Sequence, residues 1–168
     1  MARPLDPEPL LNVLVDHRVD LIVVGGYAVA AHGHVRATKD IDICPDPADD
    51  NLRRLAAALA ELEADPIGLE EFAAGEFDLV PDFKGLEMGG NWTLMTRHGR
   101  LDVMQHLDGL GVDGGGWVEL RRHAITRTFL GHDCLFCSYE DLIRMKRGAG
   151  RPQDKIDVES LKAARSEL

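Results

Sequence analysis

The sequence has no long apolar segment of the kind that crosses a membrane or directs export. None of its hydrophobic runs approaches the ~20 residues that a bilayer span requires. The first residues, Met1 to Pro7, also lack the apolar core of a secretory signal. From these absences we expect a cytoplasmic protein.

The chain also lacks an excess of basic residues. It carries 29 acidic and 19 basic side chains, which gives a formal net charge of −10. Broad, sequence-independent binding of DNA or RNA needs a basic face that neutralises phosphates, so this charge argues against such binding. It leaves room for a local basic pocket that holds a nucleotide or one end of an RNA.

Cysteine is scarce as well, with Cys44, Cys134 and Cys137 as the three examples. An odd number of cysteines in a chain without an export signal predicts free thiols. Cys134 and Cys137 form a C-x-x-C pair, but neither a second pair nor a His-x-x-x-His follows them. A structural zinc site would therefore be incomplete, and we interpret the pair as two thiols of a strand.

The 168 residues fit one domain, and 45% hydrophobic residues suffice for a sizeable core. We therefore expect a single domain over residues 1–168. Hydrophobic periodicity predicts helices over residues 7–18, 27–32, 48–64, 117–123, 139–147 and 152–165. It predicts strands over residues 21–24, 39–44, 91–96, 100–105, 124–130 and 134–137, with irregular segments at 65–90 and 107–116.

The most informative region runs from Val23 to Ile43. A buried strand ends at Gly25-Gly26 and a helix follows, which places bare backbone N–H groups at a helix start, where phosphate binds well. On the next strand Asp40 and Asp42 share a face, about 6.6 Å apart along the strand. Two carboxylates that point the same way repel each other unless a cation lies between them, and Mg²⁺ prefers carboxylate and phosphate oxygens.

Asp102 is the candidate for a third ligand of such a cation. It lies between Leu101 and Val103 on a predicted strand that follows a hairpin. An acid among apolar residues is costly without a partner. Its place in the chain, after the pair of aspartates on the earlier strand, fits a carboxylate that a neighbouring strand contributes.

These residues together resemble the pattern of the nucleotidyltransferase superfamily that includes DNA polymerase beta: Gly25-Gly26, then Asp40-Ile41-Asp42, then Asp102. The version with Gly-Gly-Tyr-Ala, His-Gly and Arg-x-Thr-Lys-Asp-Ile-Asp is similar to small bacterial nucleotidyltransferases, including the group related to AbiEii-type toxins of toxin–antitoxin systems. The segment from Asp141 to Asp154 is similar to the same group. The resemblance implies an α+β nucleotidyltransferase fold, with a mixed β-sheet flanked by helices and further helices at the C-terminus.

The resemblance also implies roles for particular residues. Asp40, Asp42 and Asp102 would be the catalytic residues, and they would hold two Mg²⁺ ions as the cofactor. Seven residues would bind the nucleotide, namely Gly25, Gly26, Arg36, Thr38, Lys146, Arg151 and Asp154. Gly26 replaces a serine found in many members, so backbone N–H groups would have to contact the phosphate there.

The implied reaction moves a nucleoside monophosphate from a nucleoside triphosphate to an acceptor hydroxyl and releases pyrophosphate. Asp102, nearest the acceptor, would take its proton. The acceptor stays open between an RNA end, a small molecule such as an antibiotic, and a protein; a toxin-like enzyme would have an antitoxin partner. The alternative is a non-catalytic nucleotide-binding or interaction module on the same fold.

The distribution of basic residues bears on that choice. The one basic concentration in the chain comprises Arg121, Arg122, Arg127, Arg144, Lys146, Arg147 and Arg151. If these side chains gather on one side near the acids, an RNA acceptor is favoured. A small closed pocket would instead favour a small molecule.

Overall fold

The computed structural model describes residues 3–68, 79–110 and 116–168. The helices are α1 Pro7–Asp16, α2 Gly25–Ala31, α3 Asp49–Glu61, α4 Phe83–Glu87, α5 Gly116–His123, α6 Tyr139–Ala149 and α7 Pro152–Ser166. The strands are β1 Leu21–Val24, β2 Asp40–Pro45, β3 Asp65–Pro66, β4 Asn91–Thr96, β5 Gly99–Met104, β6 Ile125–Phe129 and β7 His132–Phe136.

The strands form one seven-stranded sheet in the order β3-β4-β5-β2-β1-β7-β6. β1 pairs antiparallel with β2 and parallel with β7, and β2 also pairs parallel with β5. The pairs β4–β5 and β6–β7 are antiparallel hairpins. This mixed sheet with flanking helices confirms the predicted α+β fold class.

Two clusters of buried side chains pack the helices against the sheet. One joins β1 and β7 to α2, α6 and α7, and it contains Phe136 and Leu142. The other joins β2, β4 and β5 to α1 and α3, and it contains Ile41 and Leu101. Burial of a large apolar side chain contributes about 1.5–3 kcal/mol, so the clusters fix which face each of these five strands presents to the core.

The predicted elements are confirmed, with small shifts at their ends. α2 begins at Gly25 rather than at Tyr27, and α6 continues past Arg147 to Ala149. α6 continues through Gly148, whose missing side chain allows close packing against the loop after β5: a Cβ there would lie 2.7 Å from the backbone nitrogen of Gly109. The helix ends at Gly150, whose left-handed φ of 64° suits glycine.

The segments predicted to be irregular are only partly covered. The first contains two short elements, β3 and α4. Residues 69–78 and 111–115 of these segments lie outside the described residues. Across the part of the chain that is described, no helix combines the length and apolarity that a bilayer crossing requires.

The three cysteines are buried free thiols. Cys134 lies in β7 and Cys137 follows that strand directly. Burial raises the pKa of both Cys44 and Cys137 to about 12. These two thiols therefore stay protonated near neutral pH and behave as small apolar side chains of the core.

Candidate active site

Asp40, Asp42 and Asp102, called the acid trio below, converge where β2 and β5 lie side by side. In the parallel register of these strands Asp42 lies opposite Asp102, and Asp40 lies opposite Arg100. Each carboxylate contributes one oxygen to a group whose members all lie within 4.8 Å of one another. Ile41, which alternates with the acids, is fully buried in the core, so the acids face the other side of the sheet.

The acid trio fits a divalent cation by the chemistry of its donors, because carboxylate oxygens are preferred ligands of Mg²⁺. Burial raises the pKa of Asp42 to about 7, and the charges of Asp40 and Asp102 add to that shift. Burial and the charge of Asp102 also raise the pKa of Asp40. The three carboxylates are therefore short of positive charge, which a bound cation would supply.

Arg100 supplies part of that charge. Its Nε and Nη2 donate to the two carboxylate oxygens of Asp102, each at 3.0 Å, and Nε lies 3.5 Å from Asp40. Its side chain is 40% exposed. No ion pair reaches Asp42 from any of the residues the structure describes. Sequence reasoning missed Arg100, although its position two residues before Asp102 on a strand predicts a shared face.

Gly25 and Gly26, called the glycine elbow below, join β1 to α2 directly beneath Asp42. Gly25 has a φ of +66°, in the left-handed region that favours glycine. A Cβ at this position would lie 2.0 Å from Oδ2 of Asp42. The absence of a side chain at Gly25 therefore makes room for the Asp42 carboxylate.

Thr38 and Arg36 approach the glycine elbow from the segment before β2. A Cβ on Gly26 would lie 2.6 Å from the Thr38 hydroxyl oxygen, so Gly26 permits this close approach. The Thr38 hydroxyl donates to the Asp40 carbonyl at 3.2 Å and braces the start of β2. The Arg36 guanidinium donates through Nε and Nη2 to the two oxygens of Asp157, at 2.8 and 2.9 Å.

Lys146 is buried between two aspartates of α7, Asp154 and Asp157, called the buried pair below. Its Nζ lies 3.0 Å from an oxygen of each carboxylate. Although burial favours the protonated acid, hydrogen bonds from Arg36, Gln153 and Lys146 lower the pKa of Asp157 to about 2. Sequence reasoning missed Asp157, yet its spacing of three residues from Asp154 predicts the same helix face.

Arg151 joins the buried pair from the N-terminus of α7. Its backbone N–H donates to Asp154 at 3.1 Å, and its Nε donates to the same carboxylate oxygen at 2.7 Å. Burial works against ionisation of Asp154, but hydrogen bonds from Arg151 and Lys146 lower its pKa. The Arg151 side chain is 73% exposed, so it is the cation of this network that is most open to a ligand.

All ten residues predicted for the site line one cavity of about 560 Å³. The sequence-based assignment thus identified residues that the fold brings together, while their catalytic and binding roles stay predictions. The lining of the cavity also includes the apolar side chains of Met104, Leu107, Leu142 and Met145. Acidic, basic and apolar side chains therefore line the same cavity.

The seven basic residues singled out in the sequence do not gather at this cavity. Lys146 and Arg151 line it, whereas Arg127 and Arg144 line a second cavity near the N-terminus of α6. Arg144 donates to Glu119 at 3.3 Å and to Asp141 at 3.1 Å, so its charge is already paired with two carboxylates. Together with His123, Glu119 and Asp141 form another group of potential metal ligands, which Arg144 already neutralises in part.

Comparison with known proteins finds no matching family model and no matching curated protein. Solved structures do match. The lincosamide antibiotic adenylyltransferase LnuA, solved with lincomycin bound, aligns with a TM-score of 0.60 at 13% identity, over 96% of this chain and 99% of its own. A Thermotoga maritima protein proposed to be a nucleotidyltransferase aligns with a TM-score of 0.57 at 16% identity, over 98% of this chain and 96% of its own.

A third solved structure is the antibiotic-resistance factor ANT(2'')-Ia in complex with adenylyl-2''-tobramycin. It aligns with a TM-score of 0.52 at 17% identity, over 90% of this chain and 82% of its own. At such identities the likeness concerns the fold. The chain therefore has the fold of these nucleotidyltransferases.

Proposed function

We propose that the protein is a metal-dependent nucleotidyltransferase that moves a nucleoside monophosphate from a nucleoside triphosphate to a hydroxyl of a small molecule. The observation that carries this proposal is the acid trio, whose oxygens lie within 4.8 Å of one another beside the glycine elbow. The acid trio would hold Mg²⁺, two ions by family resemblance, which supplies charge for the triphosphate and lowers the pKa of the acceptor hydroxyl.

The side chains of the cavity have different roles in binding the nucleotide. Arg151 is the exposed cation that contacts a phosphate, while Arg36 and Lys146 act through the buried pair that they neutralise. The backbone N–H groups of the glycine elbow contact a phosphate, while Asp42 and Thr38 fill the space left by the missing side chains. Thr38 and Asp154 complete the nucleotide site by bracing β2 and the start of α7.

In the transfer step the acceptor oxygen attacks the α-phosphorus and the bond from that phosphorus to the bridging oxygen breaks. Pyrophosphate leaves, and the proton of the acceptor hydroxyl goes to a carboxylate oxygen of Asp102. We assign this role to Asp102 because the chain that follows it, through Met104 and Leu107, forms the cavity wall where an acceptor would lie. Positioning and charge stabilisation account for most of the rate enhancement in such a site.

Three observations support a small acceptor over an RNA. A cavity of about 560 Å³ has the size of a small-molecule site. Of the seven clustered basic residues, two line this cavity and two line the second one, so they do not form the track that a nucleic acid needs. Two proteins of the same fold were solved in complex with lincomycin and with adenylyl-2''-tobramycin.

A toxin-like enzyme related to the AbiEii group, with an RNA acceptor and an antitoxin partner, is the second candidate. It is favoured by the resemblance of residues 141–154 to that group. A cytoplasmic location suits both candidates, since both use a nucleoside triphosphate.

The test is transfer of label from each of the four nucleoside triphosphates, labelled at the α-phosphate. The protein is incubated with Mg²⁺ and with hydroxylated antibiotics, a metabolite extract, total RNA and a protein fraction in separate reactions. We expect label in a small-molecule product and release of pyrophosphate, both lost in Asp102→Asn. Glu119→Gln is the matched control, because it removes one carboxylate charge from the other acidic group and leaves the acid trio intact.

Each other outcome selects a different function. Labelled RNA would replace the small acceptor with the toxin-like candidate. Calorimetric binding of ATP with no label transferred in any reaction would favour the non-catalytic module. Transfer that survives in Asp102→Asn would remove this residue from the mechanism.

A further inference from the structure

Arg100 lies beside the acid trio and contacts two of its carboxylates. It lies opposite Asp40 in the register of β2 and β5, two residues before Asp102 on the same strand. Both of its hydrogen bonds to Asp102 are 3.0 Å long, and the paired geometry is that of a guanidinium–carboxylate fork. One side chain thus reaches two of the three proposed metal ligands.

This fork competes with a divalent cation for the same oxygens. Both oxygens of Asp102 accept from Arg100, and a guanidinium at this distance also repels a second positive charge. The charge of the acid trio with Arg100 sums to −2 at full ionisation, three carboxylates against one guanidinium. If the hydrogen bonds between Arg100 and Asp102 break, both oxygens of Asp102 become free to bind a cation. The site also becomes more negative, because the guanidinium has left it.

We propose that Arg100 is an internal counter-ion, which holds Asp102 and Asp40 in the metal-free protein and releases them when a divalent cation binds. This inference rests on the proposed function, since it concerns the same metal site. Arg100 is a positioning residue in this scheme: its contact with Asp102 sets how strongly the free protein binds the cation.

The surroundings of Arg100 allow it to move. Its side chain is 40% exposed and lines the cavity, so it can turn toward solvent without opening the core. The fork between Arg36 and Asp157 is different, because the Asp157 side chain is fully buried and Lys146 and Gln153 also contact it. The fork between Arg100 and Asp102 can therefore open, whereas the fork between Arg36 and Asp157 is held closed.

Release of Arg100 also links cation binding to nucleotide binding. A released guanidinium lies at the rim of the same cavity, where the phosphates of a nucleotide offer new partners for it. The nucleotide thus compensates for the lost contact with Asp102. By linkage, the cation and the nucleotide each increase the affinity of the other, and Arg100 contributes to that coupling.

The first test is calorimetric titration of the nucleotide-free protein with Mn²⁺. We expect Arg100→Gln to bind Mn²⁺ on the order of tenfold more tightly than the wild type, the effect of losing one charge-assisted hydrogen-bonded pair. Arg97→Gln is the matched control: it removes the same charge from an exposed residue of the same hairpin, and we expect less than a twofold change. Equal or weaker binding in Arg100→Gln would overturn the inference.

A titration in the presence of a non-hydrolysable ATP analogue measures the coupling. We expect the analogue to increase Mn²⁺ affinity more in the wild type than in Arg100→Gln. Only in the wild type can the guanidinium of residue 100 move from Asp102 to the phosphates. The same enhancement in both proteins would refute the coupling.

Nuclear magnetic resonance tests the release of Arg100 in the wild type itself, so the measurement does not depend on whether a variant folds. The Nε–H signal of Arg100, assigned by its absence in Arg100→Gln or by its contacts, should lose its protection from exchange with water when Mg²⁺ is added. The Nε–H signal of Arg36 is the internal control and should persist. An Arg100 signal that stays protected at saturating Mg²⁺ would contradict release.

The failure of this inference differs from the failure of the proposed function. If the wild type binds Mn²⁺ and loses it in Asp42→Asn while Arg100→Gln has no effect, the metal site stands and the counter-ion role is wrong. If neither the wild type nor Arg100→Gln binds Mn²⁺, both the metal site and the counter-ion role are wrong.

Discussion

The acid trio lines the cavity and the buried pair reaches it through Asp154, but the charges of these two groups of aspartates are balanced in opposite ways. The acid trio has Arg100 as its ion-pair partner, and the pKa of Asp42 is raised to about 7 by burial and then by the neighbouring acids. The buried pair has Arg36, Lys146 and Arg151 around it. Burial of Asp157 is more than offset there by hydrogen bonds, which lower its pKa to about 2.

The difference separates acids that need a ligand from acids that support the fold. A buried carboxylate that the protein has already neutralised gains little from a metal ion and loses much if a partner is removed. A carboxylate short of positive charge costs stability in the free protein, and binding of a cation recovers that cost. This difference supports our proposal that the acid trio binds the cation, and it leaves the buried pair a structural role.

The largest expected effect is the loss of activity in Asp42→Asn. We expect nucleotidyl transfer to fall by about 10³-fold or more, since the site loses a ligand at the point where charge develops. The melting temperature of the metal-free protein should rise, because one of three mutually repelling carboxylates is gone. Pyrophosphate release and differential scanning calorimetry measure the two effects. If the variant is unfolded at room temperature, Asp42 belongs with the structural acids.

The converse is expected for Asp157→Asn. Removal of this carboxylate leaves Arg36 and Lys146 short of a buried partner, so we expect a loss of about 3–5 kcal/mol in the free energy of unfolding. Urea denaturation of Asp157→Asn and Asp42→Asn without metal measures the contrast. A loss below about 1 kcal/mol for Asp157→Asn would show that the buried pair is dispensable.

The dependence of stability on pH comes third in size. The folded-state pKa of Asp42, about 7, lies above its ordinary value of 3.8, so folding favours the protonated acid. The contribution of Asp42 to the stability of the metal-free protein should therefore be most favourable near pH 4 and fall by on the order of 2–4 kcal/mol as the pH rises from about 4 through about 7. For Asp157 the sign is opposite, because its lowered pKa gives stability above pH 3.8 that is lost as the pH falls toward about 2.

Thermal melts between pH 4.5 and 8 test the Asp42 contribution, with Asp42→Asn as the reference. We expect the wild type to lose more stability than the variant over this interval. Saturating Mg²⁺ should abolish or reverse the decline, since the ligands have to be ionised to bind it. Parallel curves for the two metal-free proteins would mean that Asp42 does not titrate in this range.

The smallest expected effect on stability is that of Gly25→Ala. A left-handed backbone costs a residue with a Cβ about 1–2 kcal/mol. The new Cβ would also lie 2.0 Å from Asp42 Oδ2, so the carboxylate has to move and transfer should fall. Gly131→Ala carries a similar backbone cost at φ +84°, with nothing within 4 Å of its Cβ, and should keep its activity. Equal activity in Gly25→Ala and Gly131→Ala would show that the glycine elbow has no effect on the function of the acid trio.

Much of the site was accessible from local sequence patterns. Alternation placed Asp40 and Asp42 opposite the buried Ile41 and Ile43, and the hairpin placed Asp102 on the following pair of strands. Asp157 and Arg100 also had local signals, a helical spacing of three and a strand spacing of two, but neither stood out because charged residues at such spacings are common on exposed surfaces. The pairing of β2 with β5 brings Arg100 to the acids, and contacts with Arg36 and Lys146 give Asp157 its place in the buried network.

The sequence by itself determined the elements and the faces on which the acids lie, because periodicity of burial is a local property of a strand or helix. Only the tertiary structure decided which charges are neutralised. It brought Arg36 to Asp157 across 121 positions of the chain, buried Lys146 between two carboxylates, and left Asp42 without an ion pair among the described residues. Electrostatic balance depends on distances in space, and these are set by how the sheet and helices pack.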